Sequence, residues 1–296
     1  MSQPDRVVAA QRGPGPRSGR VARAGRAVVA CGVVGVYIGL GFAFHLDANV
    51  YLLLGIPFTL LFPLVLARRP VRELWVRGTP PPVDRWVWLM FAALAVLPGL
   101  DLAGTVGDAI ASGKPNGPDG TVLGYDAAAL LGAFVAAWSI RALGRAGWRR
   151  VRGCLATAGI LGAGMFVGGF LLSGQAAPRP VPWASLGIGL ASLLMYVPVV
   201  FVLEEVFFRG ALDSYLHRDG EPGARWTAAL CSALWGLWHL PVAGSGPITA
   251  GVVLALLAFQ IPVGIFLSLG WRRSGNLAVP GITHAAIDAV RNGLGF

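Results

Sequence analysis

Charge is scarce in this chain of 296 residues: 13% of positions are Asp, Glu, Lys or Arg, whereas 55% are hydrophobic. A soluble domain carries about 25% charged residues, so the deficit excludes most soluble enzymes. Acids are scarcer than bases, 14 against 24, which leaves a formal charge of +10. Cysteine is limited to Cys31, Cys154 and Cys231, each within or at the edge of an apolar run. With no CxxC and no Cys/His cluster, neither a disulfide partner nor a cysteine-held metal is expected. The alternating ten-residue pattern of a membrane barrel is missing, and so is a convincing internal repeat of the kind that builds inverted-repeat transporters.

What the chain does have is continuous apolar runs of the length that carries an α-helix across a bilayer core of about 30 Å. Nine spans are expected, near 27–45, 50–67, 86–103, 124–140, 153–173, 184–206, 227–242, 249–270 and 276–295. The fold class is therefore all-α, a polytopic integral membrane protein of eight or nine transmembrane helices. Arginines precede the first span, at residues 6–26, and recur at 68–85, at 141–152, at Arg209, Arg218 and Arg225, and at Arg272 and Arg273. Lys114, Arg179 and Arg291 alone fall on the other side. Cytoplasmic loops collect Lys and Arg, so the alternation places the N-terminus in the cytoplasm of a multi-pass protein of the cell membrane. The excess positive charge then reports orientation, and membrane lipids rather than nucleic acid are the expected surroundings.

Residues 1–26, rich in Gly, Pro and Arg, read as a disordered cytoplasmic tail, preferred over a signal peptide because no small-residue cleavage site follows. Residues 27–183 read as N-terminal transmembrane helices and 184–296 as a second transmembrane domain. The segments 78–85 and 176–183 are Pro-rich connectors, and 104–120 is a Gly-rich outer loop.

Ionisable groups inside apolar spans are costly and mark candidate sites. The first five spans hold almost none; His45, Asp47, Asp101 and Asp126 fall near span ends and read as interfacial. The sixth carries Tyr196 to Gly210, YVPVVFVLEEVFFRG. On an α-helix Glu205, Arg209 and Asp213 would stack at i, i+4 spacing, holding the arginine between two carboxylates. Glu204 would point about 100° away and stay free. The seventh span places His239 one turn after Trp235, and the ninth places Asp288 one turn after His284, where it can orient the imidazole. Each element has a plainer reading: a charged helix face, a packing histidine, a polar tie between helices. Their concentration in the last third of the chain favours one buried polar pocket.

Taken in order, Glu204-Glu205-x-x-x-Arg209, Trp235-x-x-x-His239 and His284-x-x-x-Asp288 resemble the motifs of the CPBP family of intramembrane proteases. That family includes the type 2 CAAX prenyl endopeptidases and bacterial bacteriocin-processing or immunity proteins. FFRG after the glutamates, WGLWH before the first histidine and an Asn-Leu-x-x-Pro stretch before the second add to the likeness, which covers about 184–296. Trp235 stands where phenylalanine is commoner, and Asp288 where many members have Asn. An ionised Asp only accepts hydrogen bonds, so Asp288 is expected to orient His284 or ligate a metal.

The resemblance implies an endopeptidase that hydrolyses a peptide bond of a membrane-associated protein or peptide. Glu204 and His239 would activate a water, His284 would stabilise the oxyanion, and Glu205, Arg209 and Trp235 would support them. Glu204, His239 and His284 could also ligate zinc with an open water position, although no HExxH is present and the same residues serve a metal-free mechanism. The rival classes are a transporter with buried ion-relay residues and a non-catalytic immunity or scaffold protein of the same fold. Arg209, belonging to both the basic count and the catalytic helix, suggests a site that opens toward the cytoplasm. The structural expectation is that Glu204 and His239 lie within hydrogen-bond or one-water reach, with His284 facing the same cavity.

Overall fold

A computed structural model describes residues 16–112, 120–172, 182–218, 220–221, 223–243 and 246–295. Sustained apolar sequence with few internal hydrogen-bonding side chains leaves the helix as the way to satisfy the backbone in lipid. The described residues are accordingly helical, with no strand and a single antiparallel bridge between Val76 and Asn276. The elements are α1 (Pro16–Ala43), α2 (Ala48–Leu61), α3 (Arg85–Ser112), α4 (Gly120–Arg141), α5 (Arg145–Cys154), α6 (Ile160–Leu172), α7 (Pro182–Val199), α8 (Ser214–Leu216), α9 (Ala224–Trp238), α10 (Ala250–Ser274) and α11 (Ala278–Leu294). π-helical turns extend α2 over Phe62–Leu66, join α5 to α6 over Leu155–Gly159, and carry α7 onward over Val200–Glu204 and Val206–Asp213. The chain is thus an all-α polytopic membrane protein.

Among the described residues seven helices are long and apolar enough to cross a membrane, where nine spans were expected. The difference falls on α9 and α11, of 15 and 17 residues, which cover the expected seventh and ninth spans but stop short of a full crossing. Local chemistry explains several ends. Asp47, expected only to be interfacial, caps α2 by accepting from the Asn49 and Val50 N–H groups at 2.9 and 3.1 Å. Thr249 caps α10 and Gly275, at φ 62°, terminates it in the left-handed conformation that suits glycine.

Two sequence expectations change. Residues 16–26 belong to α1, so the expected tail over 1–26 is helical in its second part, and residues 1–15 lie outside the described residues. The expected outer loop at 104–120 is helical through Ser112, with 113–119 outside the described residues, as are 173–181 of the Pro-rich connector.

Several arginines that sequence position marks only as orientation signals are structural clamps. Arg26 is buried and pairs with Glu221. Arg77 donates to Ser214 Oγ at 2.9 Å and lies over the Trp271 ring. Arg141 holds Asp84 with two hydrogen bonds of 2.7 and 2.9 Å, which keeps that carboxyl below its ordinary pKa. The segment after α2 is laced to the start of α11 by Arg77 N–H to Gly275 O and Leu277 N–H to Trp75 O, both 2.8 Å. It thereby caps the basic end of the bundle.

α7 and its π-helical continuation run through the centre, packed by α4 and α11. Close approach depends on glycine at two places: a Cβ on Gly132 would overlap the Pro198 carbonyl, and one on Gly210 would overlap the Leu74 carbonyl. Small residues that let backbones meet are a main source of helix association in lipid. Gly132→Ala should therefore lower thermal stability by about 1–3 kcal/mol. Gly164→Ala, whose Cβ meets nothing within 4 Å, should leave it unchanged. Unfolding curves of the two variants in detergent provide the check.

Candidate active site

Pro198 has no N–H to donate within α7, and the wider i→i+5 pattern begins two residues later. Neighbouring side chains bond to carbonyls along this segment. Trp75 Nε1 donates to Phe201 O at 2.7 Å, Cys231 Sγ to Phe208 O at 3.2 Å, and Ser214 Oγ to Arg209 O at 3.1 Å. The π turns also change which side chains meet. Asp213 does not share Arg209, as α-helical spacing predicts; it is held by Arg272 of α10, whose Nε donates to Oδ2 at 2.8 Å. Among the described residues Arg209 forms its ion pair with Glu205, at 3.0 Å, and both side chains are fully buried. The central carbon of the guanidinium lies over the Trp235 ring, 4.2 Å from its centre.

Glu205 also reaches across to α11. Its Oε1 lies 2.9 Å from His284 Nδ1, and since a carboxylate only accepts, Nδ1 is the donor. The opposite nitrogen, Nε2, lies 3.4 Å from Asp288 Oδ2 and 3.9 Å from Glu204 Oε2. Glu205 therefore makes the shorter contact with the ring, in the orienting position that the sequence had suggested for Asp288. Asp288 is shared between His284 and Arg291, whose Nη1 is 3.3 Å away.

Glu204, one residue before Glu205, opens instead onto a cavity of about 600 Å³ that His239, His284, Asp288 and Trp235 also line. Trp235 Nε1 sits 3.5 Å from Glu204 Oε2, while the Trp235 carbonyl accepts from His239 Nδ1 at 2.8 Å. That bond places the proton of a neutral His239 on Nδ1 and leaves Nε2 for the cavity. Trp235 also packs edge-on against His284, with ring centres 5.0 Å apart. The expected site residues thus surround one space: Glu204, His239, His284 and Asp288 on its wall, with Glu205 and Arg209 beneath.

Arg291, Tyr196 and Gln260 also line this cavity and were not singled out from sequence. Arg291 donates to Tyr196 Oη at 2.9 Å besides meeting Asp288. Its i+3 spacing from Asp288 was a legible signal, obscured by its place in the charge pattern. Gln260 gave no signal: one amide among apolar neighbours, buried, with its Oε1 unpartnered.

Among the described residues no three His, Cys, Asp or Glu side chains are gathered to hold a metal ion. Glu204, His239 and His284 in this arrangement do not fit a three-ligand zinc site. The cavity wall reaches the first two turns of α2, α4 and α10 and the last two turns of α6 and α11, which are the ends away from the basic loops. The expectation that the site opens on the basic side is not met.

Removing one member of a buried ion pair leaves the other charge unpaired, at a cost of about 3–5 kcal/mol. Arg209→Met is expected to lose about that much stability, and the double substitution Glu205→Leu, Arg209→Met to recover a substantial part of it. Unfolding midpoints of the single and double variants measure the difference.

No curated protein and no solved structure matches this chain. Residues 185–290 match a family described as Rce1-like, type II CAAX prenyl endopeptidase Rce1-like. That stretch, which contains every candidate catalytic residue named above, is similar to this family.

Proposed function

We propose that the protein is an endopeptidase of the cell membrane that hydrolyses a peptide bond of a membrane-associated protein or peptide, with Glu204 as general base. The observation that carries this reading is the convergence of Glu204, His239 and His284 on one cavity inside the helical bundle. The distribution of positive loops supports a cytoplasmic N-terminus.

The proposed reaction uses these groups in turn. A water held between Glu204 and His239 Nε2 gives a proton to the Glu204 carboxylate as its oxygen attacks the scissile carbonyl carbon. The carbonyl π electrons move to oxygen, and a protonated His284 Nε2 donates to the oxyanion. Collapse of the tetrahedral intermediate breaks the C–N bond, and Glu204 passes its proton to the departing amine. Glu205 keeps the His284 ring turned toward the reacting carbonyl, and Arg209 keeps Glu205 in place. Pre-aimed donors in a site shielded from bulk water need no reorganisation at the moment of reaction.

Glu204→Gln keeps the shape and removes the base. Its expected effect is a fall in cleavage of about 10²–10⁴-fold, with the unfolding midpoint unchanged. A mass-spectrometric comparison of membrane peptides from cells carrying the wild type or this variant reads it directly. Wild-type cleavage by Glu204→Gln would overturn the assignment.

A further inference from the structure

The catalytic cavity is sealed at one end and lined to the other. Below Glu204, toward the basic loops, Phe207, Phe208, Leu212, Leu267 and Trp271 are fully buried and fill the bundle. On the other side the cavity wall includes Ala48, the first residue of α2; Tyr125, in the second turn of α4; and Ala255, in the second turn of α10. Phe166, in the final third of the continuous helix from Arg145 to Leu172, Val242 beyond α9 and Arg291 in the last turn of α11 complete the same rim. Successive helices reverse direction, so these starts and ends belong to one face of the bundle. The opposite face carries the exposed Arg145, Arg149, Arg150 and Arg152 of α5 and the clamps made by Arg26, Arg77 and Arg272.

Lys and Arg collect on the cytoplasmic side of membrane proteins. We infer that the catalytic cavity opens away from the cytoplasm and takes as substrate an extended peptide segment presented at the extracytoplasmic leaflet. Its substrate class is then the exposed end or loop of an exported or membrane-inserted chain, rather than a protein anchored by lipid to the cytoplasmic leaflet. The inner seal gives this a physical basis: a peptide coming from the basic side would have to displace the buried aromatic layer, whereas one from the rim meets Tyr125, Phe166 and Val242 before the carboxylate. The inference takes the cleavage reading above for the fate of the peptide, but the sidedness stands on geometry and charge alone.

Sidedness can be measured in spheroplasts of a bacterial host with a maleimide too polar to cross the bilayer. Cys31, the exposed cysteine, is first replaced by Ala; the buried Cys154 and Cys231 remain as the blank. Single substitutions Ala48→Cys and Val242→Cys mark the rim, and Val83→Cys, in an exposed loop position before α3, marks the basic side. The rim cysteines should label in intact spheroplasts and Val83→Cys only after lysis. The reverse pattern, or labelling of all three only after lysis, overturns the inference whatever the enzyme does. In a second arm, a mixture of polar, internally quenched peptides is added outside spheroplasts carrying the otherwise unaltered chain or Glu204→Gln. Glu204-dependent cleavage from outside is expected. Cleavage after detergent extraction but not from outside overturns the extracytoplasmic substrate alone; no cleavage in either condition, with rim labelling from outside, overturns the protease reading and the substrate class with it.

Discussion

A fully buried ion pair, Glu205 with Arg209, organises the C-terminal part of this protein. Two charges placed in a membrane bundle are tolerable only when each holds the other and further partners share the load. Here the partners are functional groups: Trp235 covers the guanidinium, and His284 donates to the carboxylate. The pair therefore joins three helical elements, the continuation of α7, α9 and α11, through Trp235 and His284, which also line the candidate site.

That arrangement explains why two adjacent glutamates can have different fates. A turn of one residue takes Glu204 out of the ion pair and onto the cavity wall, while its neighbour stays sealed. Trp235 touches both consequences, since its ring lies on Arg209, its Nε1 lies near Glu204, and its carbonyl holds His239. A phenylalanine could supply the ring face but not the indole N–H, so the tryptophan at this position adds a polar contact to the packing role expected of it.

Much of the fold was legible because lipid permits few solutions: long apolar runs must be helices, and Glu204, Glu205, His239, His284 and Asp288 stood out against an apolar background. Three features were not legible for physical reasons. π-helical turns cannot be read from α-helical spacing, and they moved Asp213 from Arg209 to Arg272. Arg26, Arg77 and Arg272 were indistinguishable by position from loop charges, although each makes a specific contact. The direction in which the cavity opens depends on which helix ends line it, and Arg209 alone pointed the wrong way. Its place in the basic count is an accident of chain direction, since it is buried and paired.

The central claim is that Glu205, fixed by Arg209, sets the protonation pattern of His284. The four histidines of the chain make ¹⁵N magnetic resonance of histidine-labelled protein in lipid nanodiscs practicable, with His284→Gln assigning its signals. A proton on His284 Nδ1, bonded to a carboxylate, is the predicted result. A neutral ring carrying its proton on Nε2, with Nδ1 bare, would contradict the account.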